Sequence, residues 1–112
     1  MRRASKVDTT HGAIRDALRA RYGELAVMDT HTLGDDFPDL VLGVSGITVL
    51  VECKTPSNKR GGFRLDKAKS QLLRSAGWRG GPWLFVVSPE QAIEAVEAAL
   101  ARQRVVPAVQ WT

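Results

Sequence analysis

The chain predicts a single α/β domain in the order α-β-β-β-α-β-α, and three observations carry that prediction. Its 112 residues, 44% hydrophobic and 25% charged, suit one domain with enough apolar mass for a real core. Apolar residues recur at helical spacing in three stretches, around Ile14–Tyr22, Leu65–Ala76 and Ala92–Leu100. Between them lie Val-, Leu- and Ile-rich runs bounded by turn residues, as strands are. No internal repeat interrupts this order.

Met1–Val7 carries Arg2, Arg3 and Lys6 with little to bury and reads as a flexible basic arm, solvated or in contact with phosphate. Asp8, Thr9 and Thr10 are all good N-caps for a first helix. Ile14, Ala17, Leu18 and Tyr22 form its inner stripe, and Gly23 supplies a stop. His11, three residues before Ile14 and seven before Leu18, belongs to the same stripe. Glu24–Thr30, with Leu25, Ala26, Val27 and Met28, reads as an edge strand. His31–Phe37 follows as a loop in which Asp35 and Asp36 are read first as turn formers, and otherwise as ligands of a second metal or as supports behind the metal ligands.

The next stretch organises the chain. Asp39–Val44 and Ile47–Lys54 are two extended runs joined by Ser45-Gly46, a hairpin signal. A two-residue turn sets Val44 against Ile47, and counting outward sets Asp39 against Glu52. Opposed residues share a face, with Cβ atoms about 4.5–5.5 Å apart. Lys54, two residues beyond Glu52, shares it too. Two carboxylates and an ammonium would then converge at one corner of a sheet. Two such anions need a cation between them, and hard oxygen donors favour Mg²⁺ or Mn²⁺. A three-residue turn would send the two acids to opposite faces. Cys53 points the other way, toward the core; as the only cysteine it excludes an intrachain disulfide and a cysteine zinc cluster.

Thr55–Arg64 is a Gly- and Pro-containing loop whose Lys59, Arg60 and Arg64 would meet phosphate beside that corner. Leu65–Trp78 reads as a second helix, with Leu65, Ala68, Leu72, Leu73 and Ala76 inward and Lys67, Lys69, Arg74 and Arg79 outward. Trp83–Val87 reads as a buried strand. Trp78, Trp83 and Phe85 suit a core or a subunit interface better than base stacking. Ser88-Pro89-Glu90-Gln91 opens a third helix with Ser at the N-cap, Pro at N1 and Gln at N3. Ala92, Ile93, Val96, Ala99 and Leu100 line its packed face. Arg102–Thr112 is too apolar for a simple tail and would add a strand or pack on a second subunit.

A net charge of +4 points mildly to an anionic partner such as nucleic acid. No run of 18 apolar residues and no signal-peptide core is found, so no membrane is expected and the cytoplasm is the expected compartment, that of the host if a phage encodes the chain.

Pro38-Asp39 followed by Glu52-Cys53-Lys54 resembles the PD-(D/E)XK nuclease signature, in the form it takes in archaeal-type and phage Holliday junction resolvases and in the related VRR-NUC nucleases. The similarity takes in Lys6-Val7-Asp8, the helical pattern through Leu18-Arg19, and Gly34 to Pro38. It continues through Gln71 and Trp78-Arg79-Gly80-Gly81-Pro82 to Ser88-Pro89-Glu90, most of the chain. The resemblance implies a restriction-endonuclease-like core, a mixed central sheet flanked by helices. It implies Asp39, Glu52 and the Cys53 backbone carbonyl as ligands of Mg²⁺, with Lys54 and Gln71 beside them. His11 stands where the family places an acid or amide from the first helix, a departure from the usual glutamate. A histidine there can bind metal, hold water, contact phosphate or cap the helix, and Asp8 is the alternative acid. Arg74 also departs, standing where a large apolar residue is usual. The implied activity is metal-dependent cleavage of four-way DNA junctions by a homodimer. A VRR-NUC-type nuclease acting on flap, single-stranded or duplex DNA, and a non-catalytic DNA-binding module of the same fold, are the alternatives.

Overall fold

A computed structural model describes residues 8–34, 36–56 and 69–105. Arg2, Arg3, Lys6, Asp35, Lys59, Arg60, Arg64, Lys67 and positions 106–112, all given roles above, lie outside the described residues, as does the side chain of Asp8.

The first helix, α1, runs Asp8–Tyr22 and buries His11, Ile14 and Leu18. It stops at Gly23, whose φ of 114° few other residues adopt. The chain then makes a single 3₁₀ turn, Glu24–Ala26, before strand β1, Val27–Asp29. The strand is therefore shorter than Glu24–Thr30. Reversal at Gly23 throws Leu25 into solvent, 95% exposed, and only Val27 is buried, with Ala26 half-buried against the core. A second 3₁₀ turn, His31–Leu33, occupies part of the expected loop.

Strands β2, Leu40–Val44, and β3, Ile47–Cys53, form the hairpin in the expected register, with Val44 opposite Ile47 and Leu40 opposite Val51. Ser45 (φ 53°) and Gly46 (φ 80°) both take left-handed backbone, the two-residue turn whose twist matches that of the strands. Strand β4, Trp83–Val86, pairs parallel to β3, completing a mixed sheet in the order β1-β2-β3-β4.

One face of this sheet is the core. Leu40, Leu42, Val49, Val51 and Val86 are fully buried with Ile14 and Leu18 of α1 and with Ala92, Val96 and Leu100 of the last helix, α3, Pro89–Val105. α3 starts as its sequence demands: Ser88 Oγ accepts the Gln91 N–H at 3.1 Å, and Gln91 Oε1 accepts the Val87 N–H at 2.7 Å. It also runs on through Arg102–Val105, which are helical where an added strand was one of the two expectations.

The other face carries Val41, Leu50, Glu52, Trp83 and Phe85, and helix α2, Lys69–Gly77, borders it. Leu65 and Ala68 of the inner stripe read for α2 lie outside the described residues, and the rest of that stripe is not buried. Leu73 is 68% exposed and Ala76 is exposed, with Leu72 half-buried. Polar anchors tie the helix down instead: Ser70 Oγ donates to Asp36 Oδ1 at 2.9 Å, Arg74 lies 4.0 Å from Asp36 Oδ2, and Gln71 accepts from Lys54. Trp78 stacks edge-on to Trp83 at 5.5 Å and stays 45% exposed. Among the described residues, no helix is long and apolar enough to cross a membrane.

Candidate functional site

The hairpin delivers the site. One pair beyond Leu40 and Val51, Asp39 comes level with Glu52 at the open end of β2 and β3. Asp39 Oδ2 accepts the Cys53 N–H at 2.8 Å, which fixes its carboxylate against the end of β3. Glu52 is fully buried, and neither of its carboxylate oxygens has a hydrogen-bond partner among the described residues. Burial first, and the Asp39 charge second, push Glu52 up to about 8, while Lys54 and the Trp83 indole oppose the shift. The indole Nε1 is outside hydrogen-bonding geometry, since it too is buried without a partner.

Such a carboxylate is costly. Burying an unpaired charge costs several kcal/mol, so Glu52 must hold a proton or face a cation. The two carboxylates at this corner are hard oxygen donors and fit a small divalent ion such as Mg²⁺.

Lys54 is held at both ends. Its N–H donates to the Val86 carbonyl at 2.8 Å, extending the parallel pairing, and its Nζ donates to Gln71 Oε1. Lys54 and Gln71, 17 residues apart in sequence, thus meet beside the two acids. Cys53 packs against the core, and burial, aided by the Asp39 and Glu52 charges, pushes its thiol far up. It is no nucleophile.

His11 does reach this corner. A ring nitrogen, an Asp39 carboxylate oxygen and Cys53 Sγ all lie within 4.8 Å of one another. Its hydrogen bond, however, runs from Nε2 to Asp29 Oδ1 at 3.0 Å. Asp29 was not singled out by the spacing, yet it also receives His31 Nδ1 at 2.7 Å and an Arg15 N–H at 3.1 Å. Partial burial alone would raise Asp29, but the bonds from His31 and Arg15 and the influence of His11 hold it well below the usual carboxylate range. The one signal for it in the sequence is a charged residue closing an apolar run. Asp36 (φ 61°) is spent on the turn and on α2, as the turn-former reading has it.

Of the residues expected at phosphate, Lys69 stands exposed at the start of α2. A cleft of about 410 Å³ opens on the same face of the sheet, walled chiefly by Pro38, Val41, Leu50, Trp78 and Trp83. No family model, no curated protein and no solved structure matches this chain.

Proposed function

We propose that the chain is a metal-dependent endodeoxyribonuclease of the PD-(D/E)XK kind, hydrolysing phosphodiesters in four-way DNA junctions as a homodimer. One observation carries the reading: a fully buried, unpartnered Glu52 set level with Asp39 by a two-residue turn, with Lys54 two residues on, just past the end of β3. The element order and the parallel pairing of β4 with β3 support a restriction-endonuclease-like core around it.

Asp39, Glu52 and the Cys53 backbone carbonyl would hold Mg²⁺, with Mn²⁺ able to substitute. When bound, the ion supplies Lewis-acid polarisation of the scissile phosphate and makes water acidic enough to attack near neutrality. The rest is done by the chain. The Cys53 N–H keeps the Asp39 carboxylate turned to the corner. Gln71 takes one of the three Lys54 donors and leaves the others for water or a phosphate oxygen. Arg2, Arg3, Lys6, Lys59, Arg60, Arg64, Lys67 and Lys69 supply phosphate contacts around the site. Two nicks across a two-fold junction suit a symmetric dimer, and Phe37, Leu73 and Trp78 offer it exposed apolar surface.

A second reading, a non-catalytic DNA-binding module, is favoured by one feature: His11 stands in place of the helix acid and bonds Asp29. Junction, flap, single-stranded and duplex DNA of matched sequence, incubated with Mg²⁺ or Mn²⁺, separate the readings. We expect the wild type to cut the junction. Asp39→Asn should lose cleavage yet keep junction binding in Ca²⁺, because an asparagine oxygen still accepts the Cys53 N–H. Binding without cleavage by the wild type would establish the module, and preferred cutting of flaps would establish the VRR-NUC-type alternative.

A further inference from the structure

We propose that His11, Asp29 and His31 form a second metal site, one for a first-row transition ion such as Zn²⁺ or Co²⁺, that adjoins the carboxylate corner through His11 but uses neither Asp39 nor Glu52. The reading does not depend on nuclease activity. Three elements converge here: α1 brings His11, the end of β1 brings Asp29, and the following 3₁₀ turn brings His31. One donor atom from each residue lies within 4.8 Å of the other two. Two separations are already near ligand spacing, with His11 Nε2 at 3.0 Å and His31 Nδ1 at 2.7 Å from the same Asp29 Oδ1. Bonds of about 2.0–2.1 Å to a common ion put donors about 3.0 Å apart in octahedral and about 3.4 Å apart in tetrahedral geometry. The two separations to Asp29 Oδ1 therefore need to open by only a few tenths of an ångström to reach octahedral spacing, with the two ring nitrogens within 4.8 Å of each other.

Its chemistry selects the ion. Two neutral imidazoles and one carboxylate suit Zn²⁺, Co²⁺ or Fe²⁺, whereas Mg²⁺ prefers oxygen. The outer support is also in place: Arg15 donates to Asp29 Oδ2 at 3.1 Å and so leaves Oδ1 turned to the two rings. Access is open on one side, where the His31 side chain is 38% exposed while those of His11 and Asp29 line the inner wall. The rings stand 4.4 Å apart, centroid to centroid, and tilted by 54°, so both nitrogens face Asp29 without stacking flat. Both nitrogens now serve hydrogen bonds to one oxygen, and an ion would replace those shared protons.

Titrating Co²⁺ into the metal-free 112-residue chain tests this by visible d–d absorption, beside Glu52→Gln and His31→Ala. Beyond any ion taken up at the carboxylate corner, one equivalent should bind to the wild type and also to Glu52→Gln. Binding should weaken by roughly a hundredfold in His31→Ala. His31 sits on an exposed turn, and an unchanged melting temperature of the metal-free variant would show that it folds. A second readout needs no variant: the chain has two histidines, and both imidazole ¹⁵N signals should shift together on adding Zn²⁺. Binding of that equivalent that survives in His31→Ala, disappears in Glu52→Gln, or shifts fewer than both rings with Zn²⁺ would overturn the site.

Discussion

Glu52 is the residue on which the chemistry and the stability of this protein meet. Held up to about 8 by burial and then by Asp39, it keeps a proton in the folded chain that the unfolded chain gives up near 4.5. Stability from this group is therefore fully present below the unfolded value and is lost as pH rises through about 8. Asp29 has the opposite sign: its contribution holds above the ordinary carboxylate range and fades only in acid. Metal-free urea unfolding between about pH 5 and pH 8 should then show the wild type losing on the order of a few kcal/mol relative to Glu52→Gln. Every other titrating group is common to the two chains, so the difference isolates Glu52. Parallel profiles would mean that the carboxylate is not desolvated. Residue by residue, Glu52 and Asp39 were legible because a short turn ties them by counting alone. Asp29 was not, since its partners His11 and Arg15 come from a helix whose approach to β1 is set by packing far from either residue.

The turn itself makes the prediction at the scale of the element. Ser45 adopts φ 53°, a conformation that costs most L-residues about 1–2 kcal/mol and costs asparagine less. Ser45→Asn should therefore stabilise the protein by roughly 0.5 kcal/mol through the favoured Asn-Gly pair, read as a higher urea midpoint at unchanged slope. A lower midpoint would show that the Ser45 side chain does something the turn geometry does not reveal. Elements whose determinants are local were read correctly: this hairpin, the Ser88 cap and the packed face of α3. Helix α2 shows where periodicity stops being informative. A stripe such as Leu72, Leu73 and Ala76 says which residues share a side, but not whether anything covers that side. Here Asp36, Gln71 and Lys54 hold the helix by polar contacts and leave Leu73 in water.

At the scale of the whole molecule, the sheet divides its labour between two faces. Helices α1 and α3 bury one, and the other ends in the acidic corner, flanked by the Trp78–Trp83 cleft and by α2. Two acids at that corner repel a phosphate backbone unless a cation sits between them, so the proposed DNA affinity must come from the positive charge around it. The chain has 16 basic against 12 acidic residues, and five of the basic ones, Lys59, Arg60, Arg64, Lys67 and Lys69, follow β3 within a short span. Each phosphate neutralised by such a residue contributes about −0.9 to the slope of log affinity against log salt on duplex DNA. Engagement of all five gives a slope of roughly −4 to −5, and replacing Lys59 and Arg60 together by alanine should make it shallower by about 2. The measurement belongs in Ca²⁺, where the corner is neutralised but the strand stays intact, with junction and duplex compared. A slope the double variant leaves unchanged would take this segment out of the interface and move the phosphate contacts to Arg2, Arg3 and Lys6. A slope near zero in the wild type would remove nucleic acid as the partner, since no other term in the proposed recognition is so sensitive to salt.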